Sequence, residues 1–402
     1  MEKPELLSPA GSWERLEAAV RYGADAVYLG GDRFGLRAAC GNFGGEALPK
    51  AVAYAHGQGV RVYLTCNTLP TCDEADGLPA FLRQAAAAGV DALIVSDVGV
   101  LRLARELVPQ IPVHISTQAG VVNHLTARAL YELGASRVVL ARELSLEEIG
   151  KLRARTPPQL ELEAFVHGAM CMSFSGRCLL SQYLNGRDAN RGDCSQPCRW
   201  RYRLVEEKRP GQYLPIGEEE GGSYILNAKD LCMLEHLREL WQAGVSSFKI
   251  EGRAKSAYYV AAVTNAYRAA MDAEGGEPPP WALEEVGKVS HRAYDTGFYF
   301  GRPGQYPQQG GYIRRWEVAA VAEAWQEGLL TVTQRNRFFA GETLELMLPG
   351  QAPRELPVQA VYDPQLGRVD DARHPMGRYT LPCPFPVEPG WMLRKRIFPT
   401  EL

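Results

Sequence analysis

Four cysteines carry the strongest chemical signal in the chain. Cys171, Cys178, Cys194 and Cys198 fall in the segment HGAMCMSFSGRCLLSQYLNGRDANRGDCSQPCRWRYRL (167–204), spaced C-x6-C-x15-C-x3-C. A zinc ribbon would use two C-x2-C knuckles, and neither is present. Catalytic thiol chemistry needs a cysteine beside a base. His167 and Cys171 supply that pair, but the other three thiols would then be idle. Four thiolates match the donor set of an iron–sulfur cluster, which takes soft ligands from converging loops. Gly176, Gly186, Gly192 and Pro197 supply turns that could bring the four together. The plain alternative is a set of buried thiols acting as small hydrophobes. Of the other five cysteines, Cys66 ends an apolar run near the expected site, and Cys232, at an expected helix start, is the best substitute ligand. Cys40, Cys72 and Cys383 read as structural.

The same segment is basic and aromatic. Arg187, Arg191, Arg199, Arg201 and Arg203 stand against Asp188 and Asp193, with Tyr183, Trp200 and Tyr202 between them. Arginine with aromatics binds phosphate and stacks bases, which makes Arg191, Arg199 and Arg201 candidate RNA contacts. It also builds an ordinary solvated surface with buried aromatic anchors. A second set of polar residues closes apolar runs: Ser8, Asn67, Ser96, Asp97, Ser116, Gln118, Arg142, Glu143, His167, Lys249, Glu251 and Arg253. Ser8, Ser96 and Asp97 are read as helix caps. In KIEGR, Lys249 and Glu251 share one strand face, and Arg253 precedes a helix starting near Ser256. Arginine beside a helix N-terminus suits an anion, and the competing reading is a structural salt-bridge cluster.

These residues need a frame, and the chain repeats one. GADAVYLGG (23–31), GVRVYLTCN (59–67), GVDALIVSD (89–97), GASRVVLAR (134–142) and GVSSFKIEG (244–252) each set a glycine before a short apolar run. Glycine accepts the left-handed conformation just past a helix, and the run after it has the length of a buried parallel strand. ELLSPA (5–10), VHISTQ (113–118) and LELEAFVHG (160–168) lack the glycine lead and complete eight strands. Helical patterns lie between them, at 12–22 and 101–108 for example, and Ser145 opens a capping box. Eight parallel strands in about 250 residues predict an α/β fold with a (β/α)8 TIM-type barrel over 1–272. An open doubly wound sheet competes, but no G-x-G-x-x-G follows the first strand. The Cys-rich insertion, 168–225, then follows strand seven at the end of the barrel where active sites sit. EGGEPPPW opens a linker and helix (273–311). Beyond it, short strands at 316–325, 329–334, 343–348 and 356–362 predict a small β-barrel or sandwich over 312–402. Arg314, Arg315, Arg335, Arg337, Arg394, Lys395 and Arg396 make its edges basic, as RNA contacts or as packing.

Three long runs resemble one family. ELEAFVHGAMCMSFSGRCLLSQYLNGRDANRGDCSQPCRWRY, ELLSPAGSWERLEAAVRYGADAVYLGG and SFKIEGRAKSAYYVAAVTNAYRAAMD, in this order-specific spread over 272 residues, resemble the peptidase U32 family. That family was first named for collagenase-like peptidases, and its better understood members are oxygen-independent RNA and quinone hydroxylation proteins. The intact QPCRW run is most similar to the tRNA uridine 5-hydroxylation branch. The resemblance implies a [4Fe–4S] cluster on Cys171, Cys178, Cys194 and Cys198, with the fourth ligand varying among members. It implies tRNA as substrate, prephenate as hydroxyl source, and a family paralogue as a partner subunit in some cases. Prephenate carries two carboxylates, so Arg253, Arg142 and Lys249 are candidate clamps, with Gln118 and Asn67 beside them. Lys249, Glu251 and His167 are candidate catalytic groups for proton transfer. Alternatives are hydroxylation of ribosomal RNA or a quinone precursor, a collagenase-like peptidase, and a non-catalytic RNA-binding protein. Neither H-E-x-x-H nor G-x-S-x-G is present to support proteolysis.

Composition agrees with a folded enzyme. The 402 residues are 46% hydrophobic and 23% charged, which excludes a disordered or collagen-like chain. The net charge of −3 means that nucleic acid must be met by a local patch. The N-terminus lacks the apolar core of a signal peptide, no run suits a membrane span, and a reducing cytoplasm is the expected compartment.

Overall fold

The structure is a computed structural model that describes residues 3–36, 42–171, 178–189, 192–200, 203–205, 213–215, 228–273, 277–304 and 312–397, with the backbone alone at 199, 203–205 and 213–215. Eight parallel strands close on themselves: β1 Glu5–Pro9, β2 Ala26–Gly30, β3 Arg61–Cys66, β4 Ala92–Val95, β5 Val113–Ile115, β6 Arg137–Val139, β7 Glu161–Ala169 and β8 Ser247–Ile250. Each pairs with the next, and β8 pairs with both β7 and β1, which makes the ring complete. The eight strands are those read from the sequence, five of them led by glycine. Gly23, Gly59, Gly89, Gly134 and Gly244 all take positive φ, the conformation the helix-to-strand turn requires. Ser145 forms the expected capping box with Glu148, Asp97 caps its helix, and Ser256 caps the helix after β8. Ser96 instead donates its hydroxyl to the Asn67 carbonyl.

The lumen of the barrel is filled in two ways. Leu7, Ala26, Tyr28, Tyr63, Ala92 and Ile94 form an apolar cluster. Opposite them, Glu5, Arg137, Glu163, Ser247 and Lys249 are buried and bonded to one another. Glu5 on β1 binds Tyr63 on β3 at 2.6 Å and Arg137 on β6 at 2.6 Å, so these bonds cross the lumen between strands that are not neighbours.

One short element departs from the sequence reading. Asp230–Cys232 is a strand, where a helix start was expected, and it runs antiparallel to the end of β7 with Cys232 opposite His167. It pairs in turn with Tyr294–Asp295. The segment preceding Asp230 contains a short antiparallel hairpin of Arg203–Val205 and Tyr213–Pro215.

The second compact unit gathers 256–291 and 313–402 with residues 21–23, and residues 292–312 group with the barrel. Compact units thus divide the chain differently from boundaries at 272 and 311. The expected helix at 283–292 is Pro280–Val286, because the chain turns at Gly287. The C-terminal strands form one eight-stranded antiparallel sheet plus a two-stranded pair, Phe338–Phe339 with Asp371–Ala372. The expected strand at 356–362 is split into Arg354–Pro357 and Val361–Asp363, which pair with different neighbours. The core here is Ala, Leu and Val around Phe338 and Tyr379. No helix among the described residues is long and apolar enough to cross a membrane.

Candidate functional site

The residues closing β6, β7 and β8 meet at the C-terminal mouth of the barrel. Arg142, just past β6, lays its guanidinium 3.8 Å from the centre of the Phe165 ring on β7. Its Nη1 donates to the Ala169 carbonyl at 2.9 Å, and its Nη2 lies 3.7 Å from Glu251 Oε2. The Arg142 Nε is buried and has no hydrogen-bond partner among the described residues. Glu251 is fixed by its backbone, whose N–H donates to the His167 carbonyl at 2.9 Å. That approach requires Gly168, at φ +110°: a Cβ there would sit 2.6 Å from the Glu251 carbonyl oxygen. His167 is buried, with its Nε2 3.4 Å from the Tyr294 hydroxyl and the two rings 5.2 Å apart. Tyr299 donates to the Phe165 carbonyl at 2.6 Å, and burial pushes its phenol well above the ordinary range.

Lys249 lies deeper. It is buried, its Nζ donates to Glu163 Oε1 at 2.7 Å, and it stands 4.6 Å from the centre of the Tyr28 ring. Glu163 also accepts from Arg137 at 3.1 Å and from Ser247 at 3.3 Å. Arg137 is held above its ordinary value because Glu5, Glu163, Tyr63 and Glu161 outweigh the cost of its burial. Burial opposes the charge of Glu5, but Arg137, Arg61 and the Tyr63 hydroxyl outweigh it and lower the carboxyl. His114, against the Tyr63 ring, is pushed well below its ordinary value by burial and then by Arg137, Lys249 and Arg61, so it is neutral.

Arg253 is spent on the fold of the mouth. It is buried, and its guanidinium donates to Thr65 Oγ1 at 2.9 Å, to the Leu36 carbonyl, and to Asn42 Oδ1 at 3.4 Å. It therefore ties the loop after β2 to β3 and β8. Asn67 assists, accepting the Leu36 N–H at 3.1 Å. Gln118 is buried in the turn Thr117–Ala119 after β5. Cys66 is buried, and burial with the Asp97 charge pushes its thiol up to about 12.

In the Cys-rich segment, the helix Leu180–Asn185 is pinned to the following loop. Ser181 Oγ accepts the Ser195 N–H at 3.0 Å, and Asn185 Nδ2 donates to Ser195 Oγ at 2.6 Å. Arg187 is tied to Asp193. Tyr183 is 86% and Trp200 47% exposed. Of the candidate RNA contacts, Arg191 and Arg201 lie outside the described residues, and Arg199 is described by its backbone in the turn Pro197–Arg199.

The donor set suits a soft metal centre in its chemistry. None of Cys171, Cys178, Cys194 and Cys198 is in a disulfide, Cys178 Sγ accepts the Leu180 N–H at 3.3 Å, and Cys194 Sγ accepts the Gln196 N–H at 3.3 Å. Backbone N–H bonds to sulfur of this kind also surround metal-bound cysteines. The four are not gathered: among the described residues no three His, Cys, Asp or Glu side chains are placed to share a metal ion.

Phe165, Glu163, Tyr28, Tyr294 and Tyr299 are parts of this site that the strand-end pattern did not reveal. For Glu163 a signal existed. Glu161 and Glu163 alternate in a strand otherwise buried on both faces, where a carboxylate needs a partner.

The model of peptidase family U32 matches residues 11–309, and the model of the family's C-terminal domain matches 314–394. The chain is 35% identical over 404 residues to tRNA hydroxylation protein P1 of Bacillus subtilis strain 168, covering 98% of this chain and 95% of that one. It is 38% identical over 395 residues to tRNA hydroxylation protein P of Escherichia coli strain K12, covering 87% of each. It is 46% identical over 303 residues to an uncharacterized protease of Methanocaldococcus jannaschii, covering 74% of this chain and 73% of that one.

Proposed function

The chain belongs to peptidase family U32, and we propose that it is an enzyme that hydroxylates RNA, forming 5-hydroxyuridine in a tRNA with prephenate as the hydroxyl source. The observation that carries this reading is the end-to-end similarity to relatives named for tRNA hydroxylation. The barrel mouth supports it with a polar site. Arg142 binds an anionic co-substrate in exchange for its loose contact with Glu251, and its place 3.8 Å from the centre of the Phe165 ring positions the guanidinium. Replacing the C5 hydrogen of uridine by hydroxyl is a two-electron oxidation: the hydrogen leaves as a proton, for which Glu251, its side chain 19% exposed beside Arg142, is the acceptor, and the two electrons stay with the co-substrate that gives up the hydroxyl. His167, buried against Tyr294, is the second proton-transfer group. Cys171, Cys178, Cys194 and Cys198 would hold a [4Fe–4S] cluster, which when bound supplies electron-transfer or Lewis-acid chemistry. Tyr183 and Trp200 offer stacking faces to unpaired bases, with Arg191, Arg199 and Arg201 as their basic neighbours in sequence. The protein acts in the cytoplasm, and a family paralogue is a candidate partner subunit.

A thiol peptidase is the competing reading, since one relative is named as a protease. It needs Cys171 bonded to a base, and among the described residues Cys171 is exposed and makes no hydrogen bond.

Anaerobic purification followed by iron, sulfide and nucleoside analysis tests the proposal. Iron and sulfide near four per chain are expected, and Cys178→Ala should lose them. tRNA from a deletion strain should lack 5-hydroxyuridine and regain it with the wild-type gene. Iron-free protein after reconstitution would refute the cluster, and unchanged nucleosides in a strain without paralogues would refute the activity.

A further inference from the structure

Glu163 is fully buried in the lumen and joins the lower barrel to the mouth. Its Oε2 faces Arg137 and Ser247, at 3.1 and 3.3 Å, while its Oε1 accepts Lys249 Nζ at 2.7 Å. Arg137 does not depend on it. That guanidinium also binds Glu5 at 2.6 Å and Glu161 at 2.6 Å, so the lower layer keeps two ion pairs when Glu163 is neutral. Lys249 does depend on it: Glu163 is the one hydrogen-bond partner of its ammonium among the described residues. The other groups around Lys249 do not replace that carboxylate. They are the Tyr28 ring from β2, the Phe165 ring from β7, neutral His114 from β5, and the Arg137 cation from β6. Glu5 from β1 and Tyr63 from β3 are already bonded to each other and to Arg137 or Arg61.

Phe165 adds a second constraint. Arg142 lies 3.8 Å and Lys249 5.5 Å from the centre of this one ring, so a single aromatic side chain sets the spacing of the two mouth cations. Each cation has its own carboxylate, Glu251 for Arg142 and Glu163 for Lys249.

We propose that Glu163 is a positioning residue, which fixes the Lys249 ammonium against the Phe165 and Tyr28 rings for the reaction at the barrel mouth. The proposal rests on the reading of that mouth as the active site. A lysine without its one hydrogen-bonded carboxylate loses its fixed place between those rings. Glu163 acts through Lys249, two residues along its neighbouring strand from Ser247, and touches no substrate itself.

The test compares Glu163→Gln, Glu163→Asp and Lys249→Met in the full chain, purified anaerobically. The substrates are prephenate and tRNA from a strain lacking the modification. Two readouts are used: turnover against the KM for tRNA, and the 15N spectrum of lysine ammonium groups, in which Lys249→Met identifies the Lys249 signal. Glu163→Gln is expected to lose about 100-fold in turnover, the scale of a misplaced group, with the KM for tRNA within about twofold. Its Lys249 signal should broaden through faster proton exchange. Glu163→Asp keeps the charge and withdraws it by one methylene, so it should keep a Lys249 signal and lose about tenfold in turnover.

Unchanged turnover in Glu163→Gln, beside an inactive Lys249→Met, would overturn the positioning role alone. Full turnover in Lys249→Met would overturn the role of Lys249 at the mouth and the proposal with it. If the wild-type protein makes no 5-hydroxyuridine, the functional reading fails, and an unchanged Lys249 signal in Glu163→Gln would separately overturn the positioning. Should Glu163→Gln not fold, wild-type turnover in Glu163→Asp would overturn it.

Discussion

Arg394, Lys395 and Arg396 form a basic run that the sequence offers as an RNA contact, and the structure buries the first of them completely. Arg394 binds Glu285 in a bidentate pair with both bonds at 2.6 Å, and Glu285 is 1% exposed. Its Nε reaches Glu345 at 3.2 Å. Burial works against this charge, but Tyr258, Glu285 and Glu345 outweigh it and hold the guanidinium above its ordinary value. Glu285→Leu removes two of the four hydrogen bonds and leaves a buried cation with one carboxylate and the Tyr258 hydroxyl. Breaking a buried pair from one side costs about 3–5 kcal/mol, and the surviving Glu345 bond places this case near the lower end. At roughly 3 °C per kcal/mol for a unit of this size, the melting temperature should fall by about 10 °C. Glu285→Leu with Arg394→Met replaces the pair by apolar groups of similar volume and should lie within about 1–2 kcal/mol of wild type. Urea and thermal denaturation followed by circular dichroism read these differences, and tRNA affinity against salt is measured in parallel. Costs that simply add in the double variant would refute the buried-pair argument, since coupling is its signature. A drop in tRNA affinity and salt slope in a folded Arg394→Met, Glu285→Leu protein would refute the reasoning that this arginine belongs to the core.

Two further outcomes follow from the barrel. His114 has a folded value depressed well below 6.5, so the unfolded chain takes up its proton first. Stability from His114 is thus complete above pH 6.5 and is lost as pH falls below it; Glu5, lowered from 4.5, adds a further loss below pH 4.5. His114→Gln should flatten the decline of the urea midpoint between pH 7 and pH 5, and a slope equal to that of wild type would show that another group titrates there. Gly168→Ala forces a Cβ to 2.6 Å from the Glu251 carbonyl oxygen at a φ of +110°. It should cost about 1–3 kcal/mol and lower turnover by displacing Glu251, which denaturation and single-turnover assays measure. A variant with wild-type stability and rate would mean that β7 and Glu251 shift apart freely.

The strands were legible because their signal is local. A glycine that must take positive φ, followed by four or five apolar residues, marks the start of each of β2, β3, β4, β6 and β8 without knowledge of the rest. The contents of the lumen were not legible, because they depend on which strands face each other. Glu5, Arg137 and Glu163 are 132 and 26 residues apart along the chain, and only closure of the ring brings their charges together. Arg253 failed as a free clamp for the same reason: Thr65 lies 188 and Leu36 217 residues away in sequence. The strand Asp230–Cys232 was read as a helix start because three residues are too short to show a period, and pairing with β7 decides its form. The four cysteines stood out by type and spacing, but spacing does not specify how thiols converge, and the described chain does not bring three of them together.

The three cations expected to clamp an anion are not equivalent once they are placed. Arg253 is committed to Thr65, Leu36 and Asn42, so its charge serves the loop after β2. Lys249 faces Glu163 at 2.7 Å, and in the lumen the carboxylates of Glu5 and Glu163 balance Arg137 and Lys249. A balanced lumen projects little field toward the mouth, since opposite charges a few ångströms apart cancel at longer range. Arg142 differs. Its contact with the one carboxylate beside it, Glu251, is 3.7 Å, longer than a hydrogen bond; its Nε donor, like the Nε of Arg253, is buried without a hydrogen bond among the described residues. A buried donor left unbonded costs about 1–3 kcal/mol, a cost that a bound carboxylate would relieve. On the proposed function, selectivity for an anionic co-substrate therefore resides in Arg142 and in the Phe165 ring that orients it. Glu251 must then give up its loose hold on that guanidinium as the anion enters, which places a carboxylate able to accept a proton next to the bound co-substrate.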